Sequence, residues 1–528
     1  MHIDKAIALA IDNIQKEGLT DIFPDPFEIG LLKNELFRRW LSTQVKSRII
    51  SNTLNGLKIH SISHVFFPKK DAYDFRRAAL IQPVDTIAYL ALVLMYADII
   101  EKHRIEKKHK VVFSYRFKPN AGYLFDSKYN YTSFQAHVTE RQKSRRVKVL
   151  VKCDISNFYD RLNLHRLEST LLSLPIDNKL VKLTNELLLF WANRDSYSLP
   201  IGGNASRVLA EAALISVDDY LRSLDIQFCR FVDDYRLFAP DAKTAHSWLS
   251  VLVERLYLEG LTVNPAKTVI EDVSKKTKST AVISEEARQV ANELRQGRII
   301  VGYSGTIPTK FRELSEREIN ELKDVTTEEL ESKITSNQIL QPDDVRKFLR
   351  IVVASGDYSK LSLYQSLVEK FPQFTPLFVD LLIKKESLIP PALKESIKSY
   401  FSETLVHGIK YPEYILVSLV RLLGSKGFSN TSALMEFFRS LKRNSGAYVG
   451  RAVLDALSSN ISRTDVLEIR QYYPRADLWE KRAIIKIVDS VLSEEEKRPW
   501  LKNVKVHSSE DYFAIESFDP KKDKKDKK

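Results

Sequence analysis

Residues 228–238, FCRFVDDYRLF, alternate on either side of an acidic pair. Phe228, Arg230 and Val232 fall on one face, with Cys229 and Phe231 on the other; past the acids, Tyr235 and Leu237 oppose Arg236 and Phe238. A period of two is the signature of β-strand, so the segment reads as a hairpin with Asp233 and Asp234 at its tip. Aspartate favours turns on conformational grounds alone. The pair gains chemical meaning only if other parts of the chain converge on it.

Three further segments do so by their order and chemistry. In VKVLVKCDISNFYDRLNLHRLE (147–168), Val147, Val149 and Val151 alternate with Lys148, Leu150 and Lys152, predicting a strand that ends on Asp154. An amphipathic stretch follows and is read as a helix. A carboxylate at the carboxyl end of a strand sits on a rigid element, where a metal ligand is best held. SLPIGGNASRVLAEAAL (198–214) offers Gly202 and Gly203 for close backbone approach, then Asn204 or Ser206 to start an Ala-rich helix. LTVNPAKT (261–268) adds an extended piece, an Asn-Pro turn and Lys267.

In this order the segments resemble the palm of reverse transcriptases: DISNFYDRL as motif A, LPIGGNASRVLAE as motif B, FVDDYRLF as motif C and LTVNPAKT as motif D. FFPKKDAYDFRRAALIQPVDTIAYLALV (66–93) and VFSYRF are similar to the fingers of prokaryotic members. The resemblance covers roughly residues 60–270, about 40% of the chain. It implies an α+β fingers/palm fold with an antiparallel sheet and two-metal nucleotidyl transfer. There a 3′ hydroxyl attacks an α-phosphorus while two Mg2+ ions, or Mn2+ in their place, stabilise the attacking and leaving oxygens.

The resemblance assigns Asp154, Ile155 and Asp233 to the metals, with Asp234 more peripheral, and gives Lys267 the task of protonating pyrophosphate. Tyr159, five residues after Asp154, falls where the family places an aromatic that excludes a 2′ hydroxyl. Ile201 and Gly202 would pack on the incoming base pair, Ile201 standing where retroviral enzymes have glutamine. Lys69, Lys70, Arg76 and Arg77 suit a triphosphate. Arg141, Lys143, Arg145, Arg146 and Lys148, a run without acids, suits a phosphate backbone. Cys153 and Cys229 are read as packing residues on neighbouring strands.

The whole chain of 528 residues divides by composition. Residues 1–65 read as a helical segment, 66–140 as fingers, 141–270 as palm and 271–318 as a connector. Residues 319–510 read as an all-α, HEAT-like repeat domain, and 511–528 as a disordered basic tail. A net charge of +13 favours a polyanionic partner, DNA or RNA. Two cysteines exclude a disulfide framework and fit a reducing, cytoplasmic setting. The start of the chain reads as an amphipathic helix and not a signal peptide. YLALVLMYADII (89–100) is short for a bilayer span and carries Asp98, so no membrane is expected.

A palm followed by a long helical region, with no sign of RNase H or a Cys/His nuclease, looks like the abortive-infection and unknown-group reverse transcriptases of prokaryotic phage defence. That class implies dNTP substrates, homo-oligomers and, in some members, untemplated synthesis from a protein tyrosine. Residues 1–72 contain no tyrosine; Tyr512, near the end, is a candidate among 22. Two other readings stand beside it. One is a template-copying enzyme with a dedicated noncoding RNA or partner protein, and the other is a scaffold that binds nucleic acid without catalysis.

Overall fold

The computed structural model describes residues 1–23, 25–68, 75–273, 311, 313–336, 342–407, 411–441 and 447–507. Lys69 and Lys70, most of the 271–318 connector, Tyr512 and the 511–528 tail lie outside the described residues. The described residues form two compact units, 1–62 with 81–273 and 63–80 with 311–507. They contain eight strands: β1 (Ser63–Pro68), β2 (Phe75–Leu80), β3 (Phe117–Asn120), β4 (Tyr123–Phe125), β5 (Val149–Asp154), β6 (Phe228–Phe231), β7 (Asp234–Ala239) and β8 (Val269–Asp272).

The first unit is built on a four-stranded sheet of order β6-β7-β5-β8, antiparallel throughout. The β6–β7 hairpin is the one the alternation predicts, with Val232 and Asp233 as its turn and Asp234 the first residue of β7. All of β6 is buried, and all of β7 after Asp234. The alternation therefore does not mark a wet face, because Arg230 is wholly buried and ion-paired. Helix Tyr131–Gln142 packs on β6 and β7, and helix Ala242–Leu258 on β5 and β7.

β7 lies between β5 and β6, so Cys153 and Cys229 are not on neighbouring strands. Both are buried free thiols, and burial pushes Cys153 up to about 11. Inert packing is the role left to them. β8 extends the sheet into what composition reads as the start of a connector, since Val269–Asp272 pairs with β5.

VVFSYRF (111–117) is not a regular strand: Val112 makes an isolated bridge, parallel to Arg230, Tyr115 turns to φ +42°, and the last residue, Phe117, opens β3. The stretch after Asp154 is not one helix but two, Phe158–Arg161 and Leu164–Ser173, the second capped by the Asn163 side chain. Helix Pro83–His103 is long and apolar enough to cross a membrane by length and composition. It lies buried in this unit, packed on helices Ile3–Glu17 and Asn204–Ala213.

The second unit joins the β1–β2 hairpin to the C-terminal helices. Sequence order had placed 66–80 with the fingers. The rings of Phe67 and Phe75 instead pack 6.4–6.5 Å from those of Tyr414 and Tyr448. Helices here pack on their next neighbours but one. Thr375–Lys384 meets Glu413–Leu423, which meets Ala447–Leu457, which meets Leu478–Val491. In a second row Pro391–His407 meets Thr431–Ser440. Charged residues interrupt the apolar faces of helices Pro391–His407, Arg463–Tyr472 and Glu494–His507.

Candidate active site

At the carboxyl end of β5 three chain segments are laced together through the backbone. Asp154 is paired with Asp234 across β5 and β7. The Ile155 N–H donates to the carbonyl of Asp233 at 3.1 Å, and the Asp154 carbonyl accepts from Asn264 N–H at 2.7 Å. Ser156 N–H reaches the Thr262 carbonyl at 2.8 Å, and Ile155 bridges Val263. The segments resembling motifs A, C and D thus meet at one point. Asp154 and Asp233 are both buried, 6% exposed.

Each acid has a different electrostatic setting. Asp154 Oδ2 lies 3.0 Å from Lys267 Nζ, on a side chain that is 61% exposed. Asp234 is held in a fork by Arg236, at 2.6 and 3.0 Å. Burial pushes the Asp234 carboxyl up, with Asp154 adding to the push and Arg236 opposing it. Among the described residues no group of three or more His, Cys, Asp or Glu is arranged to hold a metal ion. The donors present are still hard oxygens, two buried carboxylates and the adjoining main chain of Ile155, which suit a divalent cation of the magnesium kind. Asp234 is committed to a guanidinium.

Tyr159 faces the same place. Burial raises its hydroxyl well above the ordinary tyrosine range, with Tyr115, Glu211 and Asp233 adding to the rise and Arg207 opposing it. Its carbonyl accepts from Leu199 N–H at 2.9 Å, tying the motif B segment to motif A. Ile201 is half-buried. Gly202 has φ +119°, and a Cβ there would come 2.3 Å from Thr20 Oγ1. Close packing on residue 20 therefore explains this glycine directly. Gly202→Ala is expected to cost roughly 1–3 kcal/mol, read as a lower urea midpoint for unfolding. An unchanged midpoint would remove that explanation.

The basic run is not brought to the acids. Lys143, Arg145, Arg146 and Lys148 are exposed, and the strand from Lys148 to Asp154 puts about 20 Å between its ends. Arg141 is partly covered, its guanidinium 4.9 Å from the centre of the Phe238 ring. Arg76 and Arg77 lie on β2 in the second unit.

Sequence reasoning missed what lies under the turn. Arg230 donates to Asp218 at 2.6–3.0 Å and pairs with Glu211 at 2.9 Å; Glu211 also pairs with Arg104 at 2.6 Å. None of these four side chains is more than 3% exposed. The signal was present in RVLAEAA, where Arg207 and Glu211 interrupt an otherwise apolar helix. Arg207 itself pairs with Asp21 at 2.8 Å and lies 5.2 Å from the Tyr115 ring centre.

Residues 69–284 match the family described as reverse transcriptase (RNA-dependent DNA polymerase). That segment contains the four motif-bearing stretches. The chain is 25% identical over 270 residues to the Lamassu protein LmuB of a Bacillus species (strain NIO-1130). The match covers 48% of this chain and 39% of the relative, so the chain spans about two-fifths of that protein's length. Among solved structures, telomerase from Candida albicans with a TWJ fragment of telomeric RNA aligns at 14% identity and a TM-score of 0.30. That alignment covers 82% of this chain and 71% of the other. The Candida tropicalis counterpart aligns at 13% identity and a TM-score of 0.28, covering 74% and 68%.

Proposed function

We propose that this chain is an RNA-directed DNA polymerase of the reverse-transcriptase kind that joins deoxynucleotides in prokaryotic antiviral defence. One observation carries the catalytic part: Asp154 and Asp233, 79 positions apart in sequence (233 − 154), are buried side by side on hydrogen-bonded backbone inside the segment that matches the family. When bound, two Mg2+ ions, or Mn2+ in their place, supply positive charge to the attacking and leaving oxygens. Asp154, Asp233 and the Ile155 main chain would hold them. Lys267, on an exposed stem, can leave Asp154 and follow the departing pyrophosphate. Asp234 is forked to Arg236 at the start of β7, and would support the metals only from further out.

The defence role rests on the layout of a palm with a long helical region, read as HEAT-like, and on the likeness to a Lamassu protein. A cytoplasmic homo-oligomer acting on DNA or RNA, with a noncoding RNA or protein partner in attendance, completes the reading. Untemplated synthesis primed from a protein tyrosine is the form favoured by the abortive-infection resemblance. The templated form is favoured by the matched family, whose description is RNA-dependent.

Labelled dNTP incorporation by the purified chain with Mg2+, with and without added RNA, before and after protease, separates them. Label released by protease without any template supports protein-primed synthesis. Label that appears only with RNA supports the copying enzyme. No incorporation under any condition would count against the polymerase. Within the same assay, Tyr159→Ala is expected to relax discrimination against ribonucleotides roughly tenfold or more, because a shape-based exclusion is lost. Unchanged discrimination would mean that Tyr159 only packs.

A further inference from the structure

We infer that Ser114 is a positioning residue for Asp233: it holds the neighbouring Val232 in a left-handed backbone conformation and so fixes where the carboxylate points. This rests on the metal-binding reading of Asp233. Val232 has φ +56°, a region that β-branched residues avoid because the branch crowds the main chain, and it is fully buried. Something must hold it there. Its N–H donates to Ser114 Oγ at 2.9 Å and its carbonyl accepts from Arg230 at 3.1 Å, so both main-chain polar groups of the strained residue are held.

The grip is itself fixed. The Ser114 hydroxyl donates to Glu211, which leaves its oxygen lone pairs to accept from Val232. Glu211 is oriented by Arg104 and Arg230, and Arg104 also donates to the carbonyls of Ser114 and Tyr115 at 2.7 and 2.8 Å. Tyr115, the next residue, has φ +42°, so two left-handed residues from distant parts of the chain meet through this serine. Ser114 is fully buried and 118 positions from Val232. Such an arrangement is over-determined for a turn whose only task is to reverse direction. It suits a turn that must present one carboxylate in one place.

Ser114→Ala, Ser114→Thr and Ser114→Ala/Val232→Gly test this in the full chain. Mn2+ binding, followed by the loss of the free-ion EPR signal, is the first readout, and dNTP incorporation against Mg2+ concentration is the second. Ser114→Ala is expected to weaken Mn2+ binding about 10-fold and slow incorporation about 10- to 100-fold per folded molecule. Ser114→Thr, which keeps the hydroxyl, and the double variant, whose glycine adopts a positive φ without strain, are expected to recover most of both.

Wild-type Mn2+ affinity in folded Ser114→Ala would overturn the proposal and leave Ser114 a structural residue. So would a defect that the double variant does not relieve. Should Ser114→Ala not fold, hydrogen exchange at Val232 in the wild-type protein decides instead. Protection is expected, and fast exchange would overturn the inference. If the wild-type chain neither binds Mn2+ nor incorporates nucleotide, the metal reading of Asp233 fails, and the inference fails with it.

Discussion

Asp233→Ala is expected to reduce nucleotide incorporation by at least about 10³-fold, the scale at which a group stabilising developing charge is removed from a buried site. The fold should survive. The turn is held through backbone atoms that alanine keeps, the Asp233 carbonyl accepting from Ile155 and the Val232 N–H donating to Ser114. Removing one of three neighbouring carboxylates also relieves repulsion between like charges. Stability is therefore expected to hold or rise while activity vanishes. Incorporation above about a tenth of the wild-type rate would dismiss Asp233 as a metal ligand, on the same scale of charge stabilisation.

The second large effect is on stability. Arg230→Ala leaves Asp218 and Glu211 buried without the guanidinium that holds both, and is expected to cost about 3–5 kcal/mol in urea unfolding. Lysine should not rescue it, since one ammonium cannot reproduce the fork that spans both carboxylates and the Val232 carbonyl. The deficit should have a pH sign. Burial already raises the Asp218 carboxyl against the pull of Arg230, and removing the arginine raises it further. A carboxyl whose folded pKa exceeds its unfolded value binds more protons in the folded state between those two values. Stability of the variant therefore rises as pH falls through the raised value toward about 4, and the gap from wild type narrows. A loss below about 1 kcal/mol, or a gap that widens in acid, would show that the pairs hold little.

What the sequence made legible was local. The hairpin could be read because its period of two spans eleven residues around the acids. Asp154 could be placed because an alternating run stops on it. Both features need only neighbouring residues. The support beneath them was hidden for the opposite reason. Ser114, Glu211 and Val232 meet across 97 and 118 positions, and nothing in a short window says that a buried glutamate has a distant partner. The burial of Arg230 could not be read because alternation assigns a face without saying what covers it. The connector was read as starting at Glu271, in the middle of β8, because Glu271 and Asp272 open a charged stretch. The grouping of β1 and β2 with the helical unit depends on ring contacts about 340 to 380 positions away in sequence, well beyond any motif.

The strand order β6-β7-β5-β8 also sets a timetable for biosynthesis. β5 is the inner strand beside both β7 and β8, yet each of its partners is made long after it. Its pairing with β7 joins residues 80 to 90 positions apart (234 − 154 and 239 − 149). At roughly 5–20 residues per second, a ribosome makes that stretch in roughly 4–18 s, during which an apolar strand has no sheet to join. Contacts of such long range also place the domain among slow folders. The nascent chain must shelter Val149, Leu150 and Val151 until β7 emerges, and a chain interrupted before residue 234 carries Asp154 with nothing to pair it. The sheet that carries both acids is thus completed only when Val269–Asp272 has emerged, and fragments released earlier lack it.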